Sequence, residues 1–103
     1  MTTDKDKLIG ILEQDPELYK LINSKPHISI LKEISLKPID FEQLKKKIYF
    51  KRISILYNIL NTLIDKKLVN KLDINNKDMY YITDKGTKFI QLCKITEKEF
   101  NLS

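Results

Sequence analysis

Between residues 51 and 100 the spacing of apolar residues changes period twice. Across 51–66, Leu56, Ile59, Leu60 and Leu63 recur at i, i+3, i+4 and i+7, the stripe of an amphipathic helix. From Leu68 the pattern alternates, Leu68-Val69-Asn70-Lys71-Leu72, as in a half-buried strand. A polar turn over 73–78 separates this run from a second one, Met79-Tyr80-Tyr81-Ile82-Thr83, and the two together predict a β-hairpin. Thr83 then caps a last helix that carries Phe89, Leu92, Cys93, Thr96 and Phe100 on one face. The expected fold class is α+β, mostly α.

Prolines at 16, 26 and 38 divide the first half of the chain. Residues 4–14 place Leu8, Ile11 and Leu12 at helical spacing. Asp15-Pro16 reads as an N-cap followed by proline at the first helical position, opening a short helix to about Asn23 with Leu18, Leu21 and Ile22 on one side. The next helix starts near Pro26 or His27, buries Ile30, Leu31 and Ile34, and stops before Pro38. Lys37-Pro38-Ile39 is long enough for only a fragment of strand. Asp40 caps a helix with Gln43 at the capping-box position, its buried stripe being Phe41, Leu44 and Ile48, and Tyr49-Phe50 makes the following turn.

The chain has 103 residues, enough for one domain over 1–103: a helical extension at 1–25, a core at 26–83 and a final helix at 84–103. One cysteine, Cys93, rules out an internal disulfide, and with a single histidine, His27, no His/Cys metal cluster assembles within one chain. His27 reads as a first-turn helix residue and Cys93 as core. Only two glycines occur, so there is no glycine-rich phosphate loop. No nucleophile–base pair is visible, and the expectation is a chain that is not an enzyme and has neither cofactor nor metal. No apolar run is long enough to span a bilayer, and the polar start is unlike a signal peptide, so a cytoplasmic protein without membrane contact is expected.

Two stretches carry a family resemblance. Leu60-Asn61-Thr62-Leu63-Ile64-Asp65-Lys66-Lys67-Leu68-Val69 looks like the end of a recognition helix passing into a first wing strand, and Tyr80-Tyr81-Ile82-Thr83-Asp84-Lys85-Gly86 looks like a second wing strand passing into a last helix. In order, after a capped helix at 40–48, they resemble the winged helix-turn-helix superfamily over about residues 27–95. The nearest style is that of small archaeal regulators with a Tyr-Tyr-Ile-Thr-x-Lys-Gly segment. The resemblance implies a winged helix-turn-helix with a two-stranded wing hairpin, flanked by extra N- and C-terminal helices. Where the family usually has glycine this chain has Lys67, and a left-handed backbone there would cost a residue with a Cβ about 1 kcal/mol.

The net charge of +5 is unevenly placed: residues 1–44 carry −2 and residues 45–103 carry +7. Such asymmetry builds a local positive field. A lysine- and isoleucine-rich composition with no alanine would give much of the same excess without function. On the fold that the resemblance implies, the helix at 51–66 would enter a major groove and present Arg52, Ser54, Tyr57, Asn58 and Asn61. The alternative is an ordinary solvated face. Lys51 and Arg52 sit at the positive end of a helix dipole, an unfavourable place for cations unless an anion such as a DNA phosphate completes it. Lys45, Lys46 and Lys47 precede them, and read equally well as phosphate contacts or as solvated surface. At the wing tip, Asn76 and Lys77 could touch DNA, although Asn75-Asn76 suits a turn on its own and Asp73 and Asp78 flank it.

The expected function is therefore binding of double-stranded DNA, as a regulator of transcription, by a homodimer joined through its terminal helices. The alternative is a winged-helix module that binds protein within a larger complex.

Overall fold

The computed structural model describes residues 10, 13, 16–22, 24–48 and 51–100; for Tyr19 and 95–100 it describes the backbone alone. Of the helix expected over 4–14, only residues 10 and 13 are described, and both are helical. Asp15, Asn23, the turn at 49–50 and the side chains of Thr96 and Phe100 lie outside the described residues.

The element order is α1 (Leu18–Ile22), α2 (Lys25–Leu36), β1 (Ile39–Asp40), α3 (Phe41–Lys47), α4 (Ile53–Asp65), β2 (Val69–Ile74), β3 (Lys77–Ile82) and α5 (Asp84–Phe100). The fold is α+β and mostly helical, with a three-stranded antiparallel sheet in the order β1-β3-β2. Local chemistry explains several boundaries. In α3 the Asp40 carboxylate accepts from Gln43 N–H at 2.8 Å, and the Gln43 side chain accepts from Asp40 N–H, closing the capping box that the spacing predicts. Ser24 is the N-cap of α2 with proline in the first turn, but its hydroxyl bonds to Nδ1 of His27 instead of a backbone N–H. The core is apolar throughout the described residues, with Leu18, Ile30, Leu31, Ile34, Leu44, Leu56, Leu60, Leu63 and Phe89 at or below 1% exposure. Helix α2 lies at its centre, packed on α4, β3 and α5.

Three boundaries differ from expectation. The strand fragment expected at 37–39 falls at Ile39–Asp40 and joins the hairpin as a third strand: Ile39 pairs with Tyr80 and Asp40 with Met79. Two residues carry no alternation to recognise, and β1 exists because a partner forty residues away supplies its ladder. The turn expected over 73–78 shrinks to Asn75-Asn76, with Asp73 opposite Asp78 and Ile74 opposite Lys77. Both asparagines have positive φ, 54° and 64°, the geometry of a type I′ turn that lets strand pairing run to the tip. The helix expected over 51–66 is Ile53–Asp65, with Arg52 as N-cap and Lys51 before it.

Lys67 takes the left-handed backbone, φ 63°, as the resemblance implies. A closely bonded junction follows it. Thr83 Oγ1 donates toward the carbonyls of Lys67 (2.7 Å) and Leu68 (3.0 Å), and Thr83 N–H donates to Leu68 O at 3.1 Å. The same hydroxyl accepts from Gly86 N–H at 3.0 Å. Lys85 Nζ donates to Lys66 O at 3.0 Å, satisfying a carbonyl at the C-terminal end of α4. A methyl group at Gly86 would stand 2.2 Å from Leu68 O, so this position admits no side chain without movement. The stretches that carry the family resemblance thus include the weld between helix, hairpin and last helix.

Candidate nucleic-acid interface

Helix α4 buries Leu56, Ile59, Leu60 and Leu63. Ser54, Asn58 and Asn61 follow at i, i+4 and i+7, so they share the opposite face, and all three are exposed. Asp65 continues that face at the C-terminal end. The acid-free part is therefore the N-terminal three turns. Before them stand Lys51 and Arg52, both exposed and neither paired with an acid among the described residues. Arg52 makes no side-chain cap bond, so the first-turn N–H groups of α4 have no side-chain acceptor from their cap.

Tyr57 has a second task. Its ring stacks on Phe41 of α3, centroids 4.2 Å apart and planes 15° from parallel, while it remains 47% exposed. The stack ties α3 to α4 through a pair worth about 0.5–1.5 kcal/mol beyond its buried area. Lys45 Nζ lies 5.9 Å from the Phe41 ring centroid, which puts this cation beside the exposed edge of α4.

The lysine triplet does not act as one block. Lys45 pairs with Glu42 at 3.3 Å and Lys47 with Glu33 of α2 at 3.5 Å. Two positions apart on a helix is a rotation of roughly 200°, so Lys47 faces away from Lys45. Lys46 has no acidic partner among the described residues. Both pairs are exposed, where such pairs contribute little, so a competing phosphate could displace either carboxylate. At the hairpin tip Asn76 and Lys77 are exposed, and the backbone of Asn76 is accounted for by the turn itself.

Two exposed apolar side chains were not expected. Ile53 is 51% and Ile55 40% exposed, one on each flank of the Ser54–Asn58–Asn61 strip. The helical period hides them, because positions 53 and 55 are out of phase with the buried stripe yet read as hydrophobic. Of the apolar residues expected on the terminal helices, the described Leu18, Leu21, Phe89, Leu92 and Cys93 are buried within this one chain.

Burial lowers the pKa of His27 below its ordinary value, and burial, then Asp78 and Tyr57, raises that of Tyr80. Neither residue belongs to the α4 face. Among the described residues no group of three or more His, Cys, Asp or Glu side chains could hold a metal ion, and no helix is long and apolar enough to cross a membrane. No protein-family model matches the sequence, and no curated protein matches it.

Proposed function

We propose that this chain is a winged helix-turn-helix protein that binds double-stranded DNA. In this reading α3 and α4 form the helix-turn-helix and β2–β3 is the wing. The N-terminal three turns of α4 lie in the major groove. The observation that carries it is the exposed strip Ser54–Asn58–Asn61, free of acids, headed by Lys51 and Arg52 at an uncapped helix start.

The physical division of labour follows from side-chain chemistry. Asn58 and Asn61 can form paired hydrogen bonds with adenine edges, and Arg52, the only arginine, with guanine. Ile53 and Ile55 suit thymine methyl groups. Lys45, Lys46 and Lys51 supply charge to phosphates, which sets affinity but carries no sequence information. Asp65 keeps the C-terminal end of α4 away from the backbone.

The test is a duplex titration over a range of salt concentrations, with Arg52→Ala and a Lys45/Lys46/Lys47→Ala triple. Wild-type affinity should fall steeply with salt. Each lost phosphate contact should reduce the logarithmic salt slope by about 0.9. Affinity indifferent to salt, or variants that bind as wild type does, would sink the proposal. A second reading, a protein-binding module, is favoured by Ile53 and Tyr57, exposed at i and i+4 on one flank of the α4 strip, and by Ile55, exposed on the other. Ile53→Ser with Ile55→Ser separates the two: it would abolish docking of an apolar partner while leaving the salt slope of DNA binding intact.

A further inference from the structure

Strand β2 is the outer strand of the sheet, and among the described residues no strand pairs along its other edge. It is six residues long, and after the buried Val69 every residue from Asn70 to Ile74 is exposed. Leu72 is 50% and Ile74 49% exposed, both on the same side of the sheet as Met79. On the other side Asp73 stands opposite Asp78, and no cation among the described residues pairs with either. A like-charge pair directly across a ladder is destabilising. The hairpin thus has an open edge, exposed leucine and isoleucine, and an uncompensated pair of acids.

The sequence of β2 answers all three when it meets itself. The two-residue turn makes Ile74 and Lys77 a hydrogen-bonded pair, and such pairs alternate along the ladder. The N–H and C=O groups of Val69, Lys71 and Asp73 therefore point to the free edge. A second strand can pair there only if its own edge-pointing residues stand opposite these. Among antiparallel two-fold registers, centring on Lys71 sets lysine against lysine, and centring on Asp73 sets aspartate against aspartate. Centring on Leu72 sets Lys71 of each copy directly opposite Asp73 of the other, twice.

In that register the two Leu72 side chains form a non-hydrogen-bonded pair, the closest cross-strand approach, with Ile74 of each copy on the diagonal. Each Asp78–Asp73 pair gains a lysine at the end of its row.

We propose that two copies of this chain associate edge to edge through β2 about a two-fold axis, forming one continuous antiparallel sheet. The opposite edge of each sheet is the two-residue β1, too short to propagate the pairing, so the assembly closes as a dimer. This association does not depend on DNA and is measured without it.

The experiment is sedimentation of the full chain over a concentration series, with Lys71→Asp, Asp73→Lys and the double exchange, each checked for folding by circular dichroism. The wild type should dimerise. Each single change places like charges at both contacts and should weaken association about tenfold or more. An equimolar mixture of the two single variants restores both Lys–Asp contacts and should form a heterodimer, and the double exchange should self-associate. A wild type that stays monomeric up to millimolar concentration overturns the proposal. So does a dimer indifferent to both single changes, or two folded single variants that fail to associate when mixed.

Discussion

Replacing Gly86 by alanine tests the weld between α4, the hairpin and α5. The new methyl would lie 2.2 Å from Leu68 O and 2.7 Å from Cγ1 of Ile82. The Ile82 side chain can move aside. The Leu68 carbonyl is backbone, and it accepts bonds from both Thr83 N–H and Thr83 Oγ1. Pushing it away loses two hydrogen bonds, about 1 kcal/mol each, and overpacking adds about 1–3 kcal/mol. Working against this, alanine is favoured over glycine inside a helix by about 1 kcal/mol. The net expectation is a loss of about 2–4 kcal/mol, measured by urea unfolding with a two-state fit and seen also as a clear drop in Tm. If helix propensity wins and Gly86→Ala is as stable as wild type or more so, the close approach to Leu68 is not what holds this junction.

Lys67→Gly should act in the opposite direction: relief of the left-handed penalty at φ 63° outweighs the extra freedom of the unfolded chain, raising stability by up to about 1 kcal/mol in the same assay. For Tyr57→Phe, the stack on Phe41 survives and the hydroxyl is lost, so Tm should hold while duplex affinity falls if that hydroxyl reaches DNA; Tyr57→Ala should lower both. His27 carries a pH signature. Burial holds its folded pKa below 6.5, so as pH falls through 6.5 the unfolded chain takes up a proton first. Stability is then lost down to the folded pKa and levels off below it. His27→Gln should remove the part of the decline that sets in as pH falls through 6.5, as read by urea midpoints at each pH.

What the sequence determined by itself is local. The Leu56–Leu63 stripe and the Asp40–Gln43 box each depend on residues within one or two turns of chain and appear where the pattern places them; the turn narrows to its two asparagines, and Lys67 takes the left-handed backbone that the family resemblance implies. The exposed strip Ser54–Asn58–Asn61 follows from the same period, since one helix face is fixed once its opposite is buried. Tertiary structure decided whatever needs a distant partner. The two residues of β1 become a strand only beside Met79 and Tyr80. Lys45 and Lys47 look alike in sequence, but one lies beside the Phe41–Tyr57 stack and the other turns to Glu33. Thr83 reads as a helix cap, and its hydroxyl also ties α5 to carbonyls 15 and 16 residues back. The outer position of β2 is likewise a property of the sheet order β1-β3-β2, which depends on pairing between distant segments and which no period along the chain encodes.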